Sequence, residues 1–347
     1  MSADARVGIV ANPASGRDIR RLVAGASVFG NADKAGMVFR LLAGLGAAGV
    51  ERTLMMPAGD GLSSALRRQL VGRTGGNAGA GTPFPALEEL DMPLSSTAAD
   101  TLCAVDRMRA EGVDAIVVLG GDGTHRVVAK ACGDIPICAL STGTNNVFPE
   151  MRETTVAGIA TGLVATGRAG PGALHREAAL VVERPGAAPD LALVDVAVTR
   201  ERFVGARALW RHDKLCELFV TFADPSAVGL SSVAGMLAPL ERGSGQGLHV
   251  HLTQDPARVQ VLLQLPLAPG LVTKVAVAGW ETLERGARVA LAADGASVAL
   301  DGEREIELRG DDGATVHLAD GPLRIDVSAV MEYAAATQAT SSQPLSS

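Results

Sequence analysis

The sequence predicts an α/β N-terminal domain on a parallel sheet, followed by a mainly antiparallel, β-sandwich-like C-terminal domain. Three features carry this. Up to about residue 150, short apolar runs alternate with amphipathic segments of helix length. Beyond it, strand-like runs follow one another with turn residues between them. The chain has 347 residues, 47% of them hydrophobic, which is enough for two cores.

The elements follow in order. Residues 6–11 (RVGIVA) form a short apolar run suited to a buried strand. Residues 33–45 place Met37, Val38, Leu41, Leu42 and Leu45 on one helical stripe. A strand is predicted over 50–56, a helix over 62–71, and a Gly-rich mobile loop over 72–85. A helix over 96–109 keeps Asp100 and Asp106 outward, and VDAIVVL at 113–119 is the clearest buried strand. A helix over 124–132 and a strand over 135–140 complete the alternation, which implies a parallel sheet covered on both faces. After a helix over 153–166, strands are predicted at 178–183, 191–199, 218–222, 248–252, 259–265, 273–278, 288–292, 297–300 and 315–318, with Arg-Pro-Gly at 184–186 and Ala-Asp-Gly at 293–295 among the turns. The expected division is a nucleotide-binding domain over 1–150, an acceptor domain over 151–333 and a small, polar, disordered tail over 334–347.

Composition narrows the function. Lys plus Arg is 31 and Asp plus Glu is 38, a net charge of −7, and aromatics are 3%. This argues against a broad basic nucleic-acid surface and against a base-stacking platform. It leaves room for a small anion, because backbone amides bind phosphate without net positive charge. No apolar run approaches the ~18 residues of a membrane span, and the first residues lack a signal-peptide pattern. Cys103, Cys132, Cys138 and Cys216 have no metal-type spacing and read as reduced thiols of a cytoplasmic protein.

Chemistry concentrates at strand ends. The buried strand over 113–119 runs into Gly120-Gly121-Asp122-Gly123-Thr124, and a helix starts at once. Glycines let a ligand approach the main chain, and the helix start offers N–H groups and a positive dipole end. Asp122 at the tip is suited to hold Mg2+ or to take a proton from an attacking hydroxyl; as a plain turn residue it would cap the helix. Asn12-Pro13-Ala14-Ser15-Gly16 follows the first strand, and Ser141-Thr142-Gly143-Thr144-Asn145-Asn146 follows the strand over 135–140. In an open parallel sheet these ends share one edge, where ligands bind. Arg17, Arg126 and Lys130 are the cations nearby in sequence.

Other patterns carry less. Gly-Leu-Gly-Ala-Ala-Gly at 44–49 has dinucleotide-binding spacing but leads from helix to strand, the reverse of the order that fingerprint needs, and reads as a helix end with a tight connection. No lysine lies in a Walker A context, and no serine sits in a Gly-x-Ser-x-Gly elbow. Gly158 and Gly162 read as close-packing positions. His249 and His251 share one strand face, but the sequence shows no third ligand, so no dedicated protein-only metal site is expected.

GGDGT at 120–124, NPASG at 12–16 and STGTNNVFP at 141–149 resemble the superfamily of NAD kinases and diacylglycerol kinases. GGDGTHRVVAKA and STGTNNVFPE are most similar to its ATP-NAD/AcoX kinase branch, of the acetoin catabolism protein X type. The resemblance implies an active site between the two domains, with ATP and Mg2+ as cofactors. Asp122 would be the catalytic base or Mg2+ organiser. Asn12, Ser15, Gly120, Gly121, Gly123, Thr124, Thr142, Gly143, Thr144, Asn145 and Asn146 would contact the nucleotide. Asp301 and Glu303, in Leu300-Asp301-Gly302-Glu303, resemble the element by which the lipid kinases bring an acid to the phosphates; Asp-Gly is equally a β-turn pair. The implied partner is a small-molecule acceptor, NAD first, and homo-oligomers are the expectation.

The chain departs from these relatives at the acceptor side. His125, Arg126, Val127 and Val128 stand where bacterial lipid kinases carry a Glu, Asn145-Asn146 stands for the Asn-Glu pair of NAD kinases, and Gly229 to Gly235 is only a degenerate counterpart of their Thr-Gly-Ser-Thr-Ala-Tyr segment. Another metabolite or lipid hydroxyl, or a non-catalytic nucleotide-binding accessory role, are the alternatives.

Overall fold

The computed structural model describes residues 4–12, 29–59, 61–75, 84–143, 146–200, 212–268, 270–291, 296–308 and 313–340. Ser15, Arg17, Thr144, Asn145, the 76–83 stretch, the 293–295 turn and residues 341–347 lie outside them.

Five parallel strands open the first sheet: β1 (Arg6–Ala11), β2 (Arg52–Met55), β3 (Ala86–Glu89), β4 (Ala115–Gly120) and β5 (Ile137–Ser141), in spatial order β3-β2-β1-β4-β5. Their side chains alternate between two cores. Val7, Ile9, Val117, Leu119 and Leu140 face α1 (Asn31–Ala47), α2 (Leu62–Gly75) and a later helix, α5 (Thr154–Ala165). Val10, Ile116, Val118 and Ala139 face α3 (Ala98–Ala110) and α4 (Asp122–Ala129). This is the two-sided burial that their continuous apolar sequences predict.

Local chemistry fixes the helix limits. Thr97 caps α3 by accepting from the Ala99 N–H, and Glu153 caps α5 by accepting from Thr155 and Val156. The glycines of α1 and α5 are a crossing point: a Cβ on Gly44 would lie 2.2 Å from the Thr155 carbonyl oxygen, and one on Gly158 2.4 Å from that of Leu41. The 44–49 motif is therefore a helix end and a packing surface, as its order implied, and Gly158 and Gly162 pack closely. The Gly72 to Gly75 stretch, expected in a loop, continues α2, and β3 carried no sequence expectation.

The sheet does not stop near residue 150. It continues through β6 (Leu174–Glu183), β7 (Asp190–Ala192), β13 (Arg288–Ala290) and β16 (Thr315–Ile325), with β16 wedged between β5 and β6. The second sheet orders β11 (Val261–Ala268), β12 (Leu271–Glu284), β10 (Gln246–Leu252), β9 (Leu215–Val220), β8 (Asp195–Thr199), β14 (Ser297–Leu300) and β15 (Glu303–Glu307), with every pair antiparallel. The run over 191–199, predicted as one strand, is two strands in different sheets, and the chain crosses between the sheets at Leu193-Val194. Leu180, Val182 and Val316 of the first sheet pack against Val196, Val198, Phe219 and Val298 of the second. The outer face of the second sheet is covered by α6 (Ser231–Leu237) through Val233 and Ala234.

The expected disordered tail is corrected at its start. Helix α7 (Val327–Thr337) runs past residue 334, capped by Asp326 on the Ala329 N–H, with Val330 and Ala334 buried. Three successive alanines, 334–336, favour helix over coil.

Candidate functional site

Because β1, β4 and β5 are adjacent and parallel, their carboxyl ends lie side by side, with Ala11 beside Leu119 and Gly120 beside Ser141. The three loops singled out in the sequence therefore meet. Asn12 Nδ2 donates to Thr124 Oγ1 at 3.1 Å, and the Thr142 N–H donates to the Gly120 carbonyl at 3.2 Å.

Gly121, in extended conformation, is the N-cap of α4, and no side chain among the described residues caps that helix. A Cβ on Gly120 would lie 2.6 Å from Thr124 Cβ, and one on Gly121 2.8 Å from Asn146 Oδ1, so a side chain at either position would displace Thr124 or the Asn146 amide. A Cβ on Gly123 would lie 3.6 Å from Glu303 Oε1, which is ordinary contact and places the Glu303 carboxylate at the helix start. An uncapped helix N-terminus in a glycine cradle fits a phosphate, and the Asp122 and Glu303 oxygens suit a hard cation such as Mg2+.

Asp122 does not cap its own helix. Its Oδ1 accepts from the Val147 N–H at 3.0 Å and the Phe148 N–H at 2.8 Å, tying the second flanking loop to the GGDGT turn. Asn146 Nδ2 donates to Ser141 Oγ at 2.8 Å and to the Gly143 carbonyl at 3.3 Å, closing that loop on itself. From the second domain, Arg242 donates to the Val147 carbonyl, and its guanidinium lies 3.9 Å from the centroid of Phe222 and 5.5 Å from that of Phe148. Burial lowers the pKa of Arg242.

Asp301 and Gly302 have φ of 51° and 76° and form the two-residue turn between β14 and β15. The turn reading is correct, and the geometry adds to it. The Asp301 carboxylate is fully buried; it accepts from the Leu193 N–H at 3.0 Å and the Val194 N–H at 2.8 Å, and lies 3.5 Å from Arg126 Nε. It thereby pins the crossover between the sheets to α4 and sets Glu303 two residues further on. Burial pushes the Asp301 carboxyl up to about 7; Arg126 opposes this and Asp122 adds to it. His125 is also buried. Its Nδ1 pairs with the Gly121 carbonyl at 2.8 Å, Nε2 has no partner among the described residues, and burial lowers its pKa to about 4.

Asn12, Gly120, Gly121, Asp122, Gly123, Thr124, Thr142, Gly143, Asn146, Asp301 and Glu303 thus come together, while Ser15, Thr144 and Asn145 lie outside the described residues. Of the nearby cations, Arg126 is a buried ion-pair partner, and Lys130 pairs with Asp190 at 2.7 Å near the surface. Two cations were missed. Lys34 is 1% exposed and donates to the Asn12 carbonyl at 2.9 Å; its signal was a lysine on the apolar stripe of α1. Arg242 had no local signal, because only the fold brings it to Val147.

Comparison with known proteins gives the family. Residues 7–169 match the ATP-NAD kinase N-terminal domain, and residues 178–321 match the acetoin catabolism protein X C-terminal domain. Acetoin catabolism protein X of Cupriavidus necator (strain ATCC 17699 / H16) is 48% identical over 334 residues, covering 94% of this chain and 92% of that protein. The chain belongs to the acetoin catabolism protein X family. A similar solved structure, a provisionally named diacylglycerol kinase from Bacillus anthracis str. Sterne, is 12% identical with a TM-score of 0.43, covering 94% of this chain and 98% of that one. In this acetoin catabolism protein X family chain, the fold is an NAD kinase-like α/β domain joined to an antiparallel second sheet. No helix among the described residues is long and apolar enough to cross a membrane.

Proposed function

We propose that this chain is an ATP-dependent kinase that transfers the γ-phosphate to a hydroxyl of a small molecule, with NAD the favoured acceptor. The observation that carries this is the convergence of three loops and the Glu303 hairpin on the uncapped start of α4. Phosphoryl transfer is mostly positioning and charge stabilisation, and such a site supplies both. Asn12, Thr124 and the loops through Ser15 and Thr142 to Asn146 hold the nucleotide, with the amides of Gly121 and Gly123 at its phosphates. Glu303 would hold Mg2+, which would neutralise charge on the phosphates when bound. The acceptor oxygen forms its bond to the γ-phosphorus as the bond to the bridging oxygen breaks; ADP leaves and the hydroxyl proton passes to Asp122. The ATP-NAD kinase domain match supports this reading. A cytoplasmic, self-associating enzyme is its natural setting.

One observation favours a second reading. The Asp122 carboxylate already accepts from two backbone N–H groups, as in a nucleotide-binding protein whose aspartate only shapes the loop. The purified protein with ATP, Mg2+ and NAD, assayed for NADP beside Asp122→Asn, separates the two. NADP from the wild type alone, with ATP still bound by the variant, supports an NAD kinase. ADP released only with another hydroxyl compound changes the acceptor. Bound ATP without turnover supports the accessory role, and undiminished turnover in the variant removes Asp122 from the chemistry.

A further inference from the structure

The second sheet carries a cluster that the phosphate site does not use. His249 and His251 lie two apart on β10, on one face. Strand pairing sets Phe219 and Glu281 opposite His249, and Glu217 and Gly279 opposite His251. Directly paired residues share a face, so all of these point the same way. In the sequence the two histidines stand without a third ligand; the pairing of β10 with β12 supplies Glu281 from 32 residues further on.

The geometry is that of a small cation site. One donor atom from each of His249, His251 and Glu281 lies within 4.8 Å of the other two. Glu281 Oε1 is 3.2 Å from His249 Nδ1 and 3.7 Å from His251 Nε2. Ligand atoms at zinc bond lengths around a tetrahedral ion are about 3.3 Å apart, so these distances need little adjustment. His249 is held from behind: its ring stacks on Phe219 at 4.0 Å and 15°, and Nε2 lies 3.1 Å from Glu217 Oε2. An N–H donated from Nε2 to Glu217 turns the Nδ1 lone pair towards Glu281. That carboxylate–histidine pairing fixes the tautomer of a metal-binding imidazole. Both ring nitrogens of His249 face carboxylate oxygens, Glu281 on one side and Glu217 on the other. A cation between Nδ1 and Glu281, with Nε2–H donated to Glu217, satisfies both.

We propose that His249, His251 and Glu281 bind a zinc-class divalent ion, with Glu217 as the residue that orients His249. Two imidazoles and a carboxylate suit zinc and its neighbours, whereas Mg2+ prefers all-oxygen sites. A fourth position is open to solvent. The side chains of His251 and Glu281 are 44% and 66% exposed, and a Cβ on Gly279, opposite His251, would meet nothing within 4 Å. None of β9, β10 and β12 carries a loop of the phosphate cradle, so this ion is separate from any Mg2+ on the nucleotide.

The test is zinc titration of tag-free, chelator-stripped full-length protein against a chromophoric competitor, with Co2+ visible absorption as a report on coordination. His251→Ala and Glu281→Gln alter exposed side chains and should leave the fold intact, as far-UV circular dichroism will check. The expected result is one zinc per chain, an intense tetrahedral Co2+ band, and a zinc-dependent rise in Tm. His251→Ala and Glu281→Gln should lose affinity at least tenfold together with the band. Glu217→Gln should lose ~10- to 100-fold while keeping it, as for other second-layer partners. Absence of stoichiometric binding by the wild type, or equal affinity in wild type and His251→Ala, would overturn the proposal.

Discussion

Acid should unfold this protein through His125, one turn into the helix that follows the GGDGT loop. The ring is fully buried, with Nδ1 paired to the Gly121 carbonyl and Nε2 without a hydrogen-bond partner among the described residues, and its pKa is lowered from 6.5 to about 4. In the unfolded chain the ring takes a proton near its ordinary pKa; in the fold it resists until about 4. Between these values the unfolded state holds more protons, so stability falls as pH falls. The gap is worth about 3 kcal/mol once pH lies below both values, and about 2 kcal/mol at about pH 5. The comparison is His125→Asn, whose Nδ2 can replace Nδ1 as donor to Gly121 and does not titrate. Urea unfolding of both proteins at about pH 7.5 and about pH 5 gives the difference directly, since every other group titrates alike in the two. The wild type should lose about 2 kcal/mol more than the variant over this interval. An equal loss in both would refute the reasoning and require a charged or solvated His125 in the native state.

Further outcomes follow from other contacts. Arg126→Ala leaves the Asp301 carboxylate buried without its cation and should destabilise by about 3–5 kcal/mol, read by urea unfolding. Gly44→Ala forces a methyl to within 2.2 Å of the Thr155 carbonyl and should cost about 1–3 kcal/mol as the α1–α5 crossing opens, lowering Tm while the phosphate loops stay in place. Asp122→Asn weakens the acceptor shared by Val147 and Phe148, so amide exchange at those two residues should accelerate about tenfold, about 1.4 kcal/mol, while exchange in α3 is unchanged.

What could be read in the sequence was local. Apolar runs ending in Gly-Gly-Asp-Gly-Thr, Asn-Pro and Ser-Thr-Gly gave three loops at strand ends, and parallel pairing of β1, β4 and β5 was enough to bring them together. Asp301 and Glu303 were visible as a turn, but not the anchoring of that turn on Leu193 and Val194, which lie more than 100 residues earlier. The insertion of β16 beside β5 was hidden because its strand pattern looks the same whichever sheet accepts it. The 191–199 run hid a sheet change for the same reason: an apolar run does not record which neighbour covers it. Lys34 was legible as a charge on an apolar stripe and was passed over. Arg242 and Glu281 were not legible, since each acquires its neighbours only through long-range pairing.

The central claim is that the start of α4 is a phosphate site, and ATP–Mg2+ binding to wild type and Gly123→Val by titration calorimetry tests it most directly. A Cβ at residue 123 has the Glu303 carboxylate as its nearest neighbour, at an ordinary contact distance of 3.6 Å, and the valine methyls beyond it fill the approach to the helix N-terminus. The account predicts stoichiometric binding by the wild type and at least a tenfold loss in the variant, with urea stability little changed. Equal affinity in the two proteins, or no binding by the wild type, would contradict it.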